Sequence, residues 1–401
     1  MTARVEHLIG LPFTTFIVVA LPVALVAGML VDRVASERSR EWLLVTCSLA
    51  VIAVLCGPAV TAIGVVFALG LRAVVRRAPN RTLKTLAASV FTAAFVATPV
   101  WCIADLGAAG RQVREFTAFA TNVAVLRFWA WAWDARDGGS DREPVSRYLL
   151  AMLFFPTFVN GPIEAPRSFA GRWRGPDAAD VRAGLARLGL GAAKLLVVAL
   201  ALEPGWTRVL EGGPSAPAWR LWWWGALLYG WFYLSFAAWS DVAIGLGRLV
   251  GRRVQENFDR PWLALDPGDF WRRWHVSLGL WLRDYVYIPL GGNRRHRTAN
   301  VLVVFVVSAL WHVWGTLKLL GFGYFPVHAW GGFLLWGLLH ALGVVLLGGR
   351  GAAAASPASR TGARIATTAF AAWAWVPFFV PASVSFGQTM YMLGRMVFPV
   401  G

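Results

Sequence analysis

Acidic residues are scarce in this chain. Asp and Glu number 21 among 401 residues against 38 Lys and Arg, and charged residues of both signs make up only 15%. Soluble domains usually carry about a quarter, so this composition does not supply an ordinary water-facing surface. Cysteine is rarer still. Cys47, Cys56 and Cys102 lie inside apolar runs without metal-ligand spacing, which gives no disulfide framework and reads as buried, inert thiols. The chain also lacks a P-loop, a dinucleotide fingerprint, a Gly-x-Ser-x-Gly elbow and any evident tandem repeat. A nucleotide-driven pump therefore has no support, and no obvious nucleophile for covalent catalysis stands out.

Hydrophobic residues are abundant: they make up 57% of the chain, and the mean hydropathy is +0.56. Gly10–Val31, Thr85–Ala104, Leu221–Ser240 and Ala299–Leu317 approach or exceed the ~20 residues that carry a helix across ~30 Å of hydrocarbon, and Trp42–Leu71 and Ile365–Gly394 are longer. These runs predict an all-α polytopic membrane protein with nine to eleven membrane-embedded helices in a single domain over residues 1–401. Gly10–Val31 is read as a retained span, being long for a signal-peptide core and lacking a small-residue cleavage site. Gly57-Pro58 inside Trp42–Leu71 predicts either a kink or a turn between two short helices. Phe116–Trp133 carries Arg127 in its interior, Arg167–Arg187 reads as an interfacial amphipathic helix, and the small and polar residues of Gly351–Arg364 read as a loop.

The formal net charge is +17, which in a soluble chain would suggest nucleic acid. Here the basic residues cluster in short loops, as at Arg72, Arg76, Arg77, Arg81 and Lys84. That is the pattern of cytoplasmic loops facing anionic headgroups, so the lipid bilayer is the expected partner and nucleic acid is not. The 23 tryptophans, with Trp222-Trp223-Trp224 as the clearest cluster, suit interfacial belts. Between Arg248 and Arg297 tryptophan and arginine adjoin repeatedly. This suggests helices at or dipping into the interface, with guanidinium groups stacked on indoles.

Of six histidines, His312 is the most conspicuous, because Ala299–Leu317 holds no other ionisable residue. An imidazole at that depth needs a partner or a wet cavity. It serves either as a hydrogen-bonded tie between helices or as a catalyst. Neutral imidazole can take the proton of an attacking hydroxyl and return it to a thiolate leaving group. His275, 37 positions earlier, meets His312 only if the amphipathic region folds inward, and His340 sits in another apolar run. Packing or hydrogen bonding is the plain alternative for both. His328, near Pro326, reads as structural. Asp241 is expected to cap a helix after Ser240, and Glu164 follows Gly161-Pro162; either could instead line a polar pocket.

From Tyr229 to His340 the chain closely resembles the membrane-bound O-acyltransferase (MBOAT) family, in particular the bacterial branch with the alginate O-acetyltransferase membrane subunit and the teichoic acid D-alanyl transfer protein. The resemblance runs through Ser240-Asp241-Val242-Ala243-Ile244-Gly245-Leu246-Gly247, Glu256-Asn257-Phe258 and Phe270-Trp271-Arg272-Arg273-Trp274-His275-Val276-Ser277-Leu278. It continues through Trp281-Leu282-Arg283-Asp284-Tyr285, Ile288-Pro289-Leu290-Gly291-Gly292-Asn293-Arg294, Ser308-Ala309-Leu310-Trp311-His312 and Trp336-Gly337-Leu338-Leu339-His340. Weaker matches flank it at Phe155-Pro156 with Asn160-Gly161-Pro162-Ile163, and at Trp375-Val376-Pro377-Phe378-Phe379.

The resemblance implies helices ringed around a central funnel, with His312 catalytic and His275 at the family's second position. It also puts forward Trp311, Arg273, Asp241, Asn293 and His340 as substrate-binding residues. It implies no metal and no bound cofactor. The donor is a cytoplasmic thioester, acetyl-CoA or an acyl-carrier thioester. The acceptor is a hydroxyl of a cell-envelope or exported polysaccharide, worked on in the inner membrane, with an extracytoplasmic acetyltransferase protein as a further partner. D-alanyl or other acyl transfer to teichoic acid, lipid or a small molecule, and a non-catalytic glycan or acyl transport subunit, are the alternatives. The chain departs from the family at Val313, where glycine is usual, and in the 28 positions from His312 to His340, a longer interval than in relatives.

Overall fold

The computed structural model describes residues 7–97, 107–136, 143–202, 215–320, 327–349, 356–379 and 385–398. Cys102 falls outside them, and the side chain of His328 is not described. Among the described residues the regular structure is helical, with a lone antiparallel bridge between Phe258 and Trp274 in place of any sheet. Lipid favours this outcome: backbone groups in hydrocarbon find no water, and a helix satisfies its own. Among the described residues five helices are, by length and composition, long and apolar enough to cross a membrane, over Phe13–Val31, Glu37–Cys56, Pro58–Arg77, Arg297–Leu317 and Trp330–Leu347. Val18, Met29, Val54, Val66 and Leu346 are well exposed on them, a surface matched to lipid tails.

The chain divides into two units. The first comprises Ala3–Ala192 and Ala238–Glu256; the second comprises Ala193–Ala237 and Asn257–Gly401.

In the first unit, α1 (His7–Val31) is followed by α2 (Glu37–Cys56), α3 (Pro58–Arg77), α4 (Arg81–Ala97) and α5 (Gly107–Ala135). The long run Trp42–Leu71 thus resolves into two helices. Gly57 makes the break at φ +88° and Pro58 starts α3, a left-handed turn that a side chain would strain. Next come α6 (Val145–Leu153), the single turn α7 (Phe155–Phe158) and α8 (Ala178–Val197). Arg167–Arg187 is therefore not one interfacial helix. It is a 3₁₀ turn at Pro166–Phe169 followed by the start of α8.

The helix α9 (Ala218–Leu249) runs unbroken through Ser240 and Asp241. Asp241 consequently caps nothing, contrary to the sequence expectation. The apolar run supplied enough helical continuity to carry the chain past it. The carboxylate pairs instead with Arg187 at 2.7 Å, and Arg187 also reaches Glu256. In this unit α8 lies very close to α9. A Cβ at Gly245 would stand 2.8 Å from the Gly184 carbonyl oxygen, and one at Gly184 would stand 2.9 Å from that of Gly245. Gly245→Val is expected to force these backbones apart at about 1–3 kcal/mol, read as a lower midpoint of thermal unfolding in detergent.

Arg127 and the half-buried Arg252 mark the same unit. Arg127, fully buried, donates to the carbonyl oxygens of Thr157 (3.0 Å) and Met152 (3.4 Å). Arg252 lies over the Phe169 ring at 3.9 Å and donates to Glu164 (3.3 Å) and Ser168 Oγ (3.0 Å). Glu164 is thus a buried ion-pair partner.

The second unit continues through α10 (Pro267–Arg273), α11 (Val276–Leu282) and a π turn at Arg283–Tyr287, which leads into glycine-containing turns. Asp266 caps α10 by accepting from the Asp269 backbone N–H at 2.8 Å, with Pro267 in the first turn. Two long helices follow, α12 (Arg297–Leu320) and α13 (Val327–Leu347), then α14 (Pro357–Ala374), the turn α15 (Val376–Phe379) and α16 (Phe386–Val397). Most of the expected loop Gly351–Arg364 is helix. Ser356 and Ser359 form a reciprocal capping box with Pro357 in the first turn, which starts α14 within the small-residue stretch.

Candidate functional site

His312 lies on α12, four residues after Ser308. Its Nδ1 is 2.7 Å from the Ser308 carbonyl oxygen. A carbonyl only accepts, so Nδ1 must hold the proton and donate it. In the neutral ring Nε2 then keeps a free lone pair, the form a general base requires. Helix packing fixes the ring's surroundings. Among the described residues, Trp311 (4.8 Å between ring centroids), Phe378 (5.2 Å), Trp336 (5.3 Å) and Phe333 (6.4 Å) flank it. The residue is half-buried as a whole. Val313, where the family has glycine, is buried in the core of the unit, and α12 continues for about two turns beyond His312.

His275 reaches the same unit from the junction of α10 and α11. The segment ahead of α10 folds back on this junction. Asp259 N–H donates to the Arg273 carbonyl and Val276 N–H to the Asn257 carbonyl, each at 2.9 Å. The Asn257 side chain accepts from Ser277 Oγ at 2.8 Å. Between these ties His275 takes φ +45°, a left-handed conformation uncommon for a side-chain-bearing residue and found mostly where the surroundings impose it. Its ring is buried edge-on to Phe236, with centroids 4.7 Å apart. Burial holds the imidazole far below its usual range, at about 3, and the nearby His312 ring pushes in the same direction. His275 is therefore neutral at physiological pH.

That shift has a signed consequence. Below about pH 6.5 the unfolded chain takes up a proton that native His275 refuses until about pH 3. Native stability from this residue is present above pH 6.5 and is lost on acidification through that window. His275→Asn is expected to flatten the fall in unfolding midpoint between about pH 7 and 5, measured against the parent chain in the same detergent.

His340, on α13, is fully buried among aromatic rings. Trp271 (4.9 Å), Trp336 (5.6 Å), Phe370 (5.7 Å) and Trp375 (5.9 Å) surround it, and neither ring nitrogen has a partner among the described residues. Trp336 touches both His340 and His312, so the two imidazoles share one indole neighbour.

The remaining candidates are spread out. Trp311 adjoins His312 on α12. Arg273 ends α10 in ion pairs with Asp269 (3.1 Å) and Asp259 (3.3 Å). Asn293 lies exposed in the turn before α12 and accepts from the Tyr287 hydroxyl at 2.7 Å. Asp241 belongs to the first unit. The sequence reading assigned no role to Trp336 or Phe378, the rings against His312, although both fall inside motifs that carry the family resemblance.

Comparison with known proteins gives the context. Residues 115–329 match the model of the membrane-bound O-acyltransferase family, MBOAT. A protein named probable alginate O-acetylase AlgI, from Pseudomonas syringae pv. tomato, is 36% identical over 179 residues, covering 41% of this chain and 34% of that protein. The peptidoglycan O-acetyltransferase of Helicobacter pylori is 38% identical over 113 residues, 27% of this chain and 19% of its own length. The teichoic acid D-alanyltransferase of Bacillus subtilis is 28% identical over 200 residues, 45% of this chain and 49% of that protein. The chain thus spans half or less of the length of these relatives. With the family match extending over more than half of its residues, and its apolar helices and buried histidines in keeping with it, the chain belongs to the membrane-bound O-acyltransferase family.

Proposed function

We propose that this protein transfers an acetyl group from a cytoplasmic thioester, acetyl-CoA or an acyl-carrier thioester, to hydroxyls of a cell-envelope or exported polysaccharide. It does so as a multi-pass protein of the inner membrane, with nine to eleven embedded helices around a central funnel. One observation carries the reading: the Ser308 carbonyl holds His312 in the tautomer whose Nε2 can accept a proton.

The chemistry follows from that atom. Nε2 removes the acceptor hydroxyl's proton as its oxygen bonds to the thioester carbonyl carbon. The tetrahedral intermediate then collapses, the carbon–sulfur bond breaks, and the departing thiolate takes the proton back from Nε2. His312 ends as it began. His275, uncharged and held in an imposed conformation, orients the base or contacts the donor. Arg273, Trp311, Asn293, His340 and Asp241 stand as candidate binding residues. An extracytoplasmic acetyltransferase protein is the partner that would hand on or receive the acetyl group.

D-alanyl transfer is the second reading, favoured by the D-alanyltransferase relative, which is matched over 49% of its length. Membranes containing the chain, supplied in turn with labelled acetyl-CoA and with a D-alanyl carrier thioester, decide between them. Label from acetyl-CoA entering alkali-labile ester on envelope glycan supports acetylation. Label entering only from the carrier overturns it.

A further inference from the structure

An acyl transfer at His312 places negative charge on the thioester carbonyl oxygen in the tetrahedral intermediate. A base alone does not stabilise that charge; a fixed hydrogen-bond donor does. Among the described residues, the rings packed on His312 are Trp311, Phe333, Trp336 and Phe378. The two phenylalanines carry no polar atom, so the donors are the indoles.

Trp311 is the chain neighbour of His312 on the same helix; its indole N–H also lacks an acceptor among the described residues, but the residue is only half-buried. Trp336 comes from the next helix, α13, with its ring 5.3 Å from the imidazole at an interplanar angle of 68°. It is 1% exposed, and its Nε1 is buried without an acceptor among the described residues. Indole N–H can only donate, and a buried donor without an acceptor calls for an explanation.

The ring is also held still. Trp375 (5.2 Å), His340 (5.6 Å) and Trp271 (5.8 Å) contact it. The following residue, Gly337, brings α13 so close to α12 that a Cβ there would lie 3.0 Å from the Phe305 carbonyl oxygen. Rigidity of this kind makes a donor effective, because no reorganisation is needed when charge develops.

We propose that the Trp336 indole N–H is a catalytic hydrogen-bond donor to the acyl carbonyl oxygen of the donor thioester in the reaction at His312. The proposal rests on the acyl-transfer reading above. As the acceptor oxygen bonds to the carbonyl carbon and His312 Nε2 takes its proton, the carbonyl π electrons move onto oxygen and Trp336 donates to that oxyanion. When the carbon–sulfur bond breaks, the electron pair returns to re-form the carbonyl. Trp336 keeps its proton throughout.

The test is Trp336→Phe in the full chain, purified in detergent and assayed for acetyl-CoA turnover with envelope polysaccharide. Trp224→Phe and His312→Ala serve as comparators. Trp336→Phe is expected to lower kcat by about 100- to 1000-fold while KM for acetyl-CoA stays within about threefold of the parent, the pattern of an interaction made only in the transition state. Trp224→Phe removes a buried indole N–H that, among the described residues, does not pack on His312, and it is expected to stay near the parent. If Trp336→Phe fails to fold, benzothienylalanine at position 336 keeps the bicyclic shape and replaces N–H by sulfur, with the same expectation. Activity within about threefold of the parent, or a rise in KM at constant kcat, overturns the donor role. Retained turnover in His312→Ala, or none in the parent, removes the acyl-transfer reading and this proposal with it. An inactive His312→Ala beside an active Trp336→Phe removes this proposal alone.

Discussion

Replacing His312 with alanine is expected to abolish ester formation while the protein reaches the membrane in normal amount. Loss of a positioned acid–base group typically costs about 10²- to 10⁴-fold in rate, and the structure offers no substitute on α12. His275 and His340 are both buried, His340 fully and among aromatic rings. Little structural penalty accompanies the change. His312 is half-buried, its side chain bonds its own helix at the Ser308 carbonyl, and the methyl of alanine suits a helix. Ester content of envelope glycan, normalised to protein level, is the measurement. The same variant separates enzyme from transport subunit: unchanged ester content with blocked glycan export would sink the catalytic reading.

The largest stability effect is expected from Glu164→Ala. Glu164 is buried, paired with Arg252 at 3.3 Å, and its charge also acts favourably on fully buried Arg127. Removing it leaves fully buried Arg127 and largely covered Arg252 without their carboxylate. Breaking a buried pair from one side costs about 3–5 kcal/mol. Arg252 keeps its stacking on Phe169 and its bond to Ser168, so the loss is electrostatic rather than steric. A fall of many degrees in unfolding midpoint, with little folded protein recovered, is the expected outcome. Pairing the change with Arg252→Met should restore part of the loss, because an apolar side chain of similar length then replaces the stranded charge. A midpoint for Glu164→Ala within a degree or two of the parent would show that the carboxylate does not hold this cluster together.

How much could be read in advance depended on the range of the interaction. Gly57-Pro58 announced a break because glycine and proline act on their own backbone, and α2 and α3 part there. His312 stood out because an ionisable side chain in an apolar run is costly wherever the run ends up. Misreadings arose where local signals competed. Ser240-Asp241 looked like a cap, yet the flanking apolar residues kept α9 helical through it. The small residues of Gly351–Arg364 looked like a loop, although Ser356, Pro357 and Ser359 supply a helix start.

Composition and apolar run length determined, without coordinates, that the chain is helical and membrane-bound, because the cost of placing backbone and charge in hydrocarbon depends on residue type alone. Motif order determined the family for a similar reason. Tertiary structure alone decided which nitrogen of His312 carries the proton, since a rotamer set by neighbouring rings aims Nδ1 at the Ser308 carbonyl. It alone brought Trp336 against His312 from another helix, and matched Arg127 and Arg252 with Glu164. Such pairings depend on how helices cross and which faces meet, and residue order does not encode that one position at a time.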